Sequence, residues 1–306
     1  MPRRHPMRPT PEEHTKTTNG AVVVGFDGSE HSLATLRNAA DEAAVRRVGL
    51  RVVLAQASET RRKGDMGGDA TPDEVLDQAR SLVAACHPEL DVATDIIHAT
   101  ATQALLCASE GASLLVVGTR DKGGLSALVP GSIGARCATS AHCPVLIVRS
   151  APGGEATTRS GSTIVVGIDG SREATAALRW ALAEGERRSV PVRAVYAWFY
   201  PPVGSFIAGP RQGYEGMVAR IVKAAEATAQ EAAPGVRFEC QDRISATVPA
   251  LLAACADAQF LVVGATRSAV QKALRGSIGR ECALHAPCPV VIVRGARQSE
   301  AHSLAE

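Results

Sequence analysis

Short, continuously apolar segments alternate with longer amphipathic segments along the chain. In the first half, the apolar segments lie at about residues 21–25, 50–56, 92–97, 113–117 and 144–149. The amphipathic segments lie at about residues 29–48, 72–86, 102–111 and 131–141. Runs such as AVVVG and LLVVG lack the strict alternation of a half-exposed strand and are typical of strands buried on both faces of a parallel sheet. Strands that alternate with helices in this way predict doubly wound α/β domains.

The second half of the chain repeats the first. The sequence VVVGFDGS at residues 22–29 matches IVVGIDGS at residues 164–171. Farther along, LLVVG is matched by FLVVG, GSIG occurs in both halves, and CPVLIVR is matched by CPVVIVR. Four matched segments in the same order indicate one structural unit used twice.

The repeat suggests where the domains begin and end. A Pro- and Arg-containing segment precedes the first copy, and a Gly-, Ser- and Thr-rich segment joins the two copies, which is typical of a linker. We predict a disordered lead-in at 1–19, domains at 20–150 and 162–295, a linker at 151–161 and a tail at 296–306.

Composition and charge narrow the classes of ligand. The chain has 306 residues, 33 Lys and Arg against 31 Asp and Glu, and a net charge of +2. This balance excludes a strongly basic chain whose bulk charge would itself indicate nucleic acid. Aromatic residues form only 3% of the chain, so platforms for stacking bases are few. We predict no nucleic-acid partner.

The cellular location is predicted from absent signals and from cysteine usage. No apolar run approaches the roughly 18–20 residues of a membrane helix, and the arginines near the N-terminus precede no apolar segment of a secretory signal. A chain of this size does not need a disulfide framework for its eight cysteines. We predict a cytoplasmic protein without a membrane partner, with most cysteines acting as small core residues.

Two of those cysteines recur in each copy beside a histidine. Cys137 and Cys143 in the first copy match Cys282 and Cys288 in the second. Their spacing is not a usual zinc pattern, so we favour core packing and predict no metal site.

Ligands of doubly wound sheets bind outside the carboxyl ends of the strands, near the point where the strand order reverses. The turn after the first strand is one such place, with Asp27-Gly28-Ser29 and Asp169-Gly170-Ser171. One interpretation is structural: glycine permits a tight turn and serine caps the following helix. The other is that Asp27 and Asp169 accept hydrogen bonds from a ligand hydroxyl or amine.

The loop after the fourth strand is the second such place. It ends in Gly131-Ser132 in one copy and Gly276-Ser277 in the other, each at the start of a helix. A helix N-terminus offers backbone N–H groups and partial positive charge to a phosphate. The alternative is a helix start that only packs on the sheet. Basic residues lie nearby, at Arg120, Lys122, Arg267, Lys272 and Arg275.

Well-known catalytic motifs are absent from the sequence. It has no P-loop, no G-x-G-x-x-G, no H-E-x-x-H and no G-x-S-x-G. His31 and His98 each occur in one copy, so a catalytic role shared by both copies does not rest on them. We predict a protein that is not an enzyme, with slow ATP hydrolysis as the alternative.

Together these motifs resemble those of universal stress proteins, and the whole chain resembles a tandem protein of the actinobacterial type. The residues that carry the resemblance are the strand followed by DGS, the VVG with a glycine-rich loop and GS, and the terminal CPV strand, each present twice. The resemblance implies Rossmann-like domains of the adenine nucleotide alpha hydrolase-like type. Each domain is expected to hold five parallel strands in the order 3-2-1-4-5.

The resemblance also implies an adenine-nucleotide site, with ATP as the cofactor. ATP-binding members carry glycine, two residues, glycine, nine residues, then Gly-Ser or Gly-Thr. The first copy keeps this spacing but has Asp121 at the second glycine, and a negative charge there opposes phosphate. The second copy has Arg267 at that place and is one residue shorter before Gly276. Both copies thus depart from the pattern.

Residue by residue, the family's cleft acid matches Asp27 and Asp169, and its adenine contact on the second strand matches Ala55 and Ala197. The predicted nucleotide-contacting residues are Asp27, Gly28, Ala55, Gly118, Arg120, Gly131, Ser132, Asp169, Gly170, Ala197, Gly264, Arg267, Gly276 and Ser277.

Three functions remain open at this point. The first is a stress-response protein that binds an adenine nucleotide in one or both domains. The second is a nucleotide-free scaffold that acts through an unidentified protein partner, and the third is a weak ATP hydrolase. The resemblance further implies that residues 145–149 and 290–294 pair within the chain as a pseudo-dimer. A homodimer is a further candidate assembly.

Overall fold

A computed structural model describes residues 20–57, 70–119, 132–149, 161–198, 211–265 and 278–295. The predicted lead-in, linker and tail lie outside these residues. So do Arg120, Gly131, Arg267, Gly276 and Ser277 of the predicted site, together with the remaining loop residues Asp121, Lys122, Lys272 and Arg275.

The first repeat alternates strands and helices as the apolar pattern predicted. Its elements are β1 (Val22–Gly25), α1 (Glu30–Arg46), β2 (Leu50–Ala55), α2 (Pro72–Cys86), β3 (Val92–Ile97), α3 (Ala101–Ala108), β4 (Leu114–Thr119), α4 (Ile133–Ser140) and β5 (Val145–Arg149). Each predicted element is present, with ends that differ by at most a few residues.

The second repeat has the same element order. Its elements are β6 (Thr163–Ile168), α5 (Arg172–Arg188), β7 (Val192–Trp198), α6 (Arg211–Ala232), β8 (Phe238–Ile244), α7 (Thr247–Ala254), β9 (Ala258–Ala265), α8 (Ile278–His285) and β10 (Val290–Arg294). The predicted α/β fold class is therefore confirmed in both halves.

The described chain divides into two compact units. The first contains the described residues up to Val116 together with Ala141–Cys143, and the second contains the rest. The first unit has the parallel strand order β3-β2-β1-β4. The second unit has the order β5-β10-β9-β6-β7-β8. Within it, β8-β7-β6-β9-β10 are the third, second, first, fourth and fifth strands of the second repeat, which is the predicted order 3-2-1-4-5.

The terminal strand of the first repeat belongs to the second unit because of its pairing there. β5 runs antiparallel to β10, with Val290 opposite Ile147 and Ile292 opposite Val145. The expected pairing of these two segments is thus present. Because residues 117–140 and 144–149 of the first repeat belong to the second unit, the domain limits of 20–150 and 162–295 stay a prediction.

Strands β1, β4, β5 and β10 carry much of the core, whereas β3 and β8 do not. Every residue of β5 and β10 except the terminal arginine is buried, as are the apolar residues of β1 and β4. The outer strands β3 and β8 are half-buried or exposed along their whole length and carry polar residues such as Asp95 and Gln241. Polar residues along an outer strand discourage pairing with another chain.

Helix starts are set by local hydrogen bonds that the sequence specifies. Thr71 and Glu74 form a reciprocal capping box at the start of α2, and Thr100 and Gln103 form another at α3. Each box satisfies two backbone N–H groups that lack partners inside the helix. No described helix combines the length and apolar character that crossing a bilayer requires.

Each repeat buries a glutamate inside its first helix. Glu42 is fully buried, and its carboxylate lies 3.3 Å from Nη2 of Arg46. In the second repeat Glu184 is 1% exposed and accepts hydrogen bonds from Arg187 and from Nε of Arg188 at 3.1 Å. Buried charges of this kind are tolerated only with their partners, because each is removed from water.

Removing the charge of Glu184 should destabilise the second unit strongly. We expect Glu184→Gln to lower the free energy of unfolding by roughly 3–5 kcal/mol, since the buried Arg188 guanidinium loses the carboxylate that neutralises it. Urea denaturation of the full chain, followed by circular dichroism, measures this change.

An exposed pair in the same unit supplies the matched control. Arg179 and Glu231 lie 3.1 Å apart with side chains 48% and 70% exposed. Glu231→Gln should cost about 1 kcal/mol or less, as exposed ion pairs usually do. Equal losses for the two variants would show that burial of Glu184 has no special energetic role.

Candidate functional site

The strand order places one strand end of each unit at the point where the order reverses. β1 lies between β2 and β4, so the chain proceeds to one side through β2 and β3 and then returns to the other side at β4. In the second unit β6 lies between β7 and β9 in the same way. Asp27 follows β1 and Asp169 follows β6. Both aspartates therefore lie where open α/β sheets bind ligands.

Register places the other predicted residues near these aspartates. Phe26 donates its backbone N–H to the carbonyl of Val53 at 3.0 Å, which carries the end of β1 alongside the last residues of β2. Ala55 is half-buried at the end of β2. On the other side Val24 pairs with Val116, two residues before Gly118. The ends of β1 and β2 thus place Asp27 close to Ala55.

The second unit repeats this arrangement. Ile168 pairs with Tyr196, so Asp169 comes next to Ala197, which is half-buried in β7. Val166 pairs with Val262, two residues before Gly264. Burial first, and then the Asp169 charge, raise the pKa of Tyr196 above its usual value.

The Asp27 turn is built from hydrogen bonds within the turn itself. The carboxylate oxygen Oδ1 of Asp27 accepts from the backbone N–H of Ser29 at 3.1 Å and from its hydroxyl at 2.6 Å. Gly28 has a φ of +76°, a conformation that favours glycine. Ser29 caps α1 by accepting from the N–H of Ser32 at 3.3 Å. The turn and the cap predicted for this motif are both present.

The Asp169 turn has the same construction and is more open to solvent. Oδ1 of Asp169 accepts from the N–H of Ser171 at 2.9 Å, and the Ser171 hydroxyl accepts from the N–H of Ala174 at 3.1 Å. Gly170 has a φ of +80°. Asp169 is exposed, whereas Asp27 is half-buried.

Of the second predicted loop, the structure describes Gly118, Ser132 and Gly264. Gly118 is exposed at the end of β4. Ser132 is half-buried at the start of α4, where its hydroxyl accepts from the N–H of Ala135 at 3.3 Å. Ser132 therefore acts as the cap of α4. A role in binding phosphate stays a prediction.

Gly264 has a packing role at the end of β9. A Cβ added at this glycine would lie 2.5 Å from the backbone carbonyl carbon and oxygen of Glu173 and 2.8 Å from the N of Ala174. These atoms belong to the first turn of α5. The helix packs so closely on the strand end that no side chain fits, whether or not a ligand is present.

Glu173 is a further residue near the strand ends of the second unit, and the sequence did not predict its position. The Glu173 side chain lies beside the end of β10, because a Cβ on Gly295 would meet its Cγ at 3.6 Å and its Oε1 at 3.8 Å. An acid in the first turn of a helix is common, so nothing local marked it. The first repeat has His31 at the matching position. The two repeats thus differ at this position, with an acid in one and a histidine in the other.

Two cavities lie near the end of β2 in the first unit. One, of about 480 Å³, is lined by Gln56, Asp73, Leu76, Arg80, Thr94, Asp95, Ile96 and His98. The other, of about 560 Å³, is lined by Ala57, Ile97, His98, Ala99, Thr100, Gln103 and Cys107. Both volumes suit a small molecule. They adjoin β3, and neither lining includes Asp27.

Comparisons with known proteins agree with the motifs and the fold. The model of the universal stress protein family matches residues 18–149 and 162–294. A universal stress protein of Mycolicibacterium smegmatis is 29% identical over 295 aligned positions, which cover 90% of this chain and 98% of the relative. One of Mycobacterium tuberculosis is 26% identical over 287 positions, covering 89% and 96%.

A solved structure supports the fold independently. The crystal structure of a universal stress protein from Archaeoglobus fulgidus aligns with a TM-score of 0.63 at 16% identity, covering 92% of this chain and 99% of that chain. With both repeats matched by the family model and the strand order of that architecture in place, this chain belongs to the universal stress protein family.

Proposed function

We propose that the chain is a stress-response regulatory protein that binds an adenine nucleotide, with ATP as the first candidate, in one or both repeats. The observation that carries the proposal is the position of Asp27 and Asp169 at the strand-order reversals of the two units. There Asp27 lies beside the end of β2, which finishes at Ala55, and Asp169 lies beside Ala197, the residue before the end of β7.

Each neighbour has a role in this proposal. Ala55 and Ala197 leave room for a flat base beside the end of the second strand of each repeat, and their backbone offers hydrogen bonds to its edge. Asp27 and Asp169 accept from a ribose hydroxyl. Helices α4 and α8, which begin at Ile133 and Ile278, direct backbone N–H groups toward phosphate.

The carboxylate can serve the turn and a ligand together. The turn bond of Asp169 goes to Oδ1, and an ionised carboxylate has two oxygens with about four acceptor positions. The local bonds hold the group in place before a ligand arrives. Such preorganisation lowers the cost of binding.

A second candidate function has an observation of its own. Both turns and Gly264 have structural roles that need no ligand. A nucleotide-free scaffold that acts through a protein partner would keep the same residues, and a second copy of the chain is one candidate partner. The nucleotide titration below distinguishes the two functions.

A reducing cytoplasm is the proposed location. All eight cysteines are free thiols in the structure, and proteins with many unpaired thiols are usual where glutathione keeps them reduced.

Replacing the cleft acids should weaken nucleotide binding. Asparagine keeps an oxygen at the Oδ1 position and preserves the turn, so Asp27→Asn and Asp169→Asn should fold normally. Loss of one charged hydrogen bond, worth about 1.5–3 kcal/mol, should reduce the affinity of that repeat for ATP roughly 10- to 100-fold. Isothermal titration calorimetry of the full chain measures this.

The control for this pair is Asp41→Asn. Asp41 is an exposed acid on α1 that pairs with His87 and lies away from the strand ends. Its replacement should leave the affinity unchanged. If folded wild-type protein gives no binding heat at millimolar ATP, the nucleotide proposal is wrong and the scaffold becomes the better explanation.

Neutralising Glu173 should strengthen binding of phosphates in the second repeat. Its carboxylate lies beside the end of β10, close to where phosphates would bind, and like charges repel. We expect Glu173→Gln to raise ATP affinity several-fold and AMP affinity less, because AMP carries fewer charges.

Glu186→Gln, at the exposed opposite end of the same helix, is the control and should change neither affinity. Equal effects of Glu173→Gln on ATP and AMP would show that this carboxylate does not face the phosphates.

A further inference from the structure

The first unit has a cavity of about 480 Å³ between α2 and β3, toward the carboxyl end of that strand. Helix α2 contributes Asp73, Leu76 and Arg80, whose spacing of three and four residues places them on one side of the helix. Strand β3 contributes Thr94 and Ile96, which alternate along the strand and therefore share a face. One side of a helix and one face of a strand thus enclose the cavity.

Polar groups of this cavity are held in place by the fold. The Arg80 guanidinium donates to the Thr94 hydroxyl and, at 2.7 Å, to Oδ1 of Asp77. Gln56, at the end of β2, donates its backbone N–H to the carbonyl of Ile97 at 2.9 Å, which fixes the strand end that carries its amide. Groups that are positioned in advance lower the cost of binding a ligand.

The lining combines a positive and a negative side chain with apolar surface. Arg80 has five N–H donors, so donors remain beyond those used by Asp77 and Thr94. Within the described part of the chain, no ion pair engages the Asp73 carboxylate. Leu76 is 4% exposed, and Ile96 is half-buried beside it. A complementary ligand has a carboxylate, an ammonium group and an apolar body.

The second repeat has a large ring at the matching place. Trp198 stands at the position of Gln56, and Asp242 stands at the position of Ile96. Trp198 is 9% exposed, and its Nε1 donates to Oδ2 of Asp242 at 3.4 Å. The indole takes up room that the shorter Gln56 leaves open, so the cavity belongs to the first repeat.

The cavity is separate from the Asp27 turn. Another side of α2 lies against that turn, because a Cβ on Gly28 would lie 3.4 Å from both γ carbons of Val75. Asp27 does not line the cavity. The neighbouring cavity of about 560 Å³ has no acid and no arginine among its described lining residues, so the charged pair distinguishes the first one.

We propose that the cavity of about 480 Å³ is a second small-molecule site, which binds the zwitterion of an α-amino acid with an apolar side chain. The Arg80 guanidinium donates to the α-carboxylate, and the Asp73 carboxylate accepts from the α-ammonium group. The ligand side chain lies against Leu76 and Ile96. Charge-assisted hydrogen bonds of opposite sign select a zwitterion over a ligand with one charge. This site goes beyond the proposed nucleotide site and shares none of its residues.

Ligand-observed NMR titration of the full chain with L-leucine tests the proposal. Isocaproate, which is leucine without the ammonium group, and isoamylamine, which is leucine without the carboxylate, are the matched probes. Leucine should bind at millimolar concentration. Each probe should bind roughly five- to tenfold more weakly, because it loses one charge-assisted hydrogen bond at a partly exposed site. Saturating ATP should leave leucine binding unchanged.

Three variants assign the binding to this cavity. Gln56→Trp installs the residue of the second repeat and should abolish leucine binding. Arg80→Gln should weaken binding of leucine but not of isoamylamine, and Asp73→Asn should weaken binding of leucine but not of isocaproate. Both of these positions are exposed, so the two variants keep the test decisive if Gln56→Trp folds poorly. Glu110→Gln is the control, since Glu110 is exposed near the amino end of β4.

Four results would overturn the proposal. They are no leucine binding at millimolar concentration by folded protein, equal binding of leucine and both probes, leucine binding that Arg80→Gln and Asp73→Asn leave unchanged, and displacement of leucine by ATP. The last result would assign the cavity to the nucleotide site. Failure of ATP to bind anywhere would contradict the proposed function and leave this inference intact.

Discussion

Burial of the central strands on both faces is the constraint on which the rest of the molecule depends. A strand covered by helices on each side has little room for polar side chains, as the buried apolar runs within β4, β5, β9 and β10 show. Polar groups are then confined to the strand ends and to the outer strands. Because the strands are parallel, their carboxyl ends lie together, and Asp27 and Asp169 come to stand at the reversals of strand order. The position of the candidate site thus follows from the way the core is filled.

At these strand ends, the atoms that we propose to bind a ligand also have structural roles. The carboxylates of Asp27 and Asp169 hold the turns that start α1 and α5, and the serines that follow cap those helices. A ligand would therefore meet groups already fixed by the fold. This arrangement makes binding geometrically precise, and it also means that a protein without a ligand would keep these residues for stability alone.

The sequence predicted the structural features that depend on residues close together along the chain. The strands, the helices and the caps at Ser29 and Ser171 follow from local periodicity and local hydrogen bonds, and the strand order followed from the resemblance to a known fold. The position of Glu173 was missed. It depends on elements far apart in sequence, because the first turn of α5 lies beside the end of β10. No local pattern reports such a contact. The affinity of the site stays a prediction because the loops that would hold phosphate lie outside the described residues.

The packing at Gly264 changes how its presence in related chains should be interpreted. Backbone atoms of α5 fill the space that any side chain would occupy, so selection for folding alone preserves this glycine. A descendant that had lost its ligand entirely would retain it. A glycine at this position therefore indicates that the fold is kept, whether or not a ligand binds. Loss of binding would first be seen as substitutions at site residues that have no packing role.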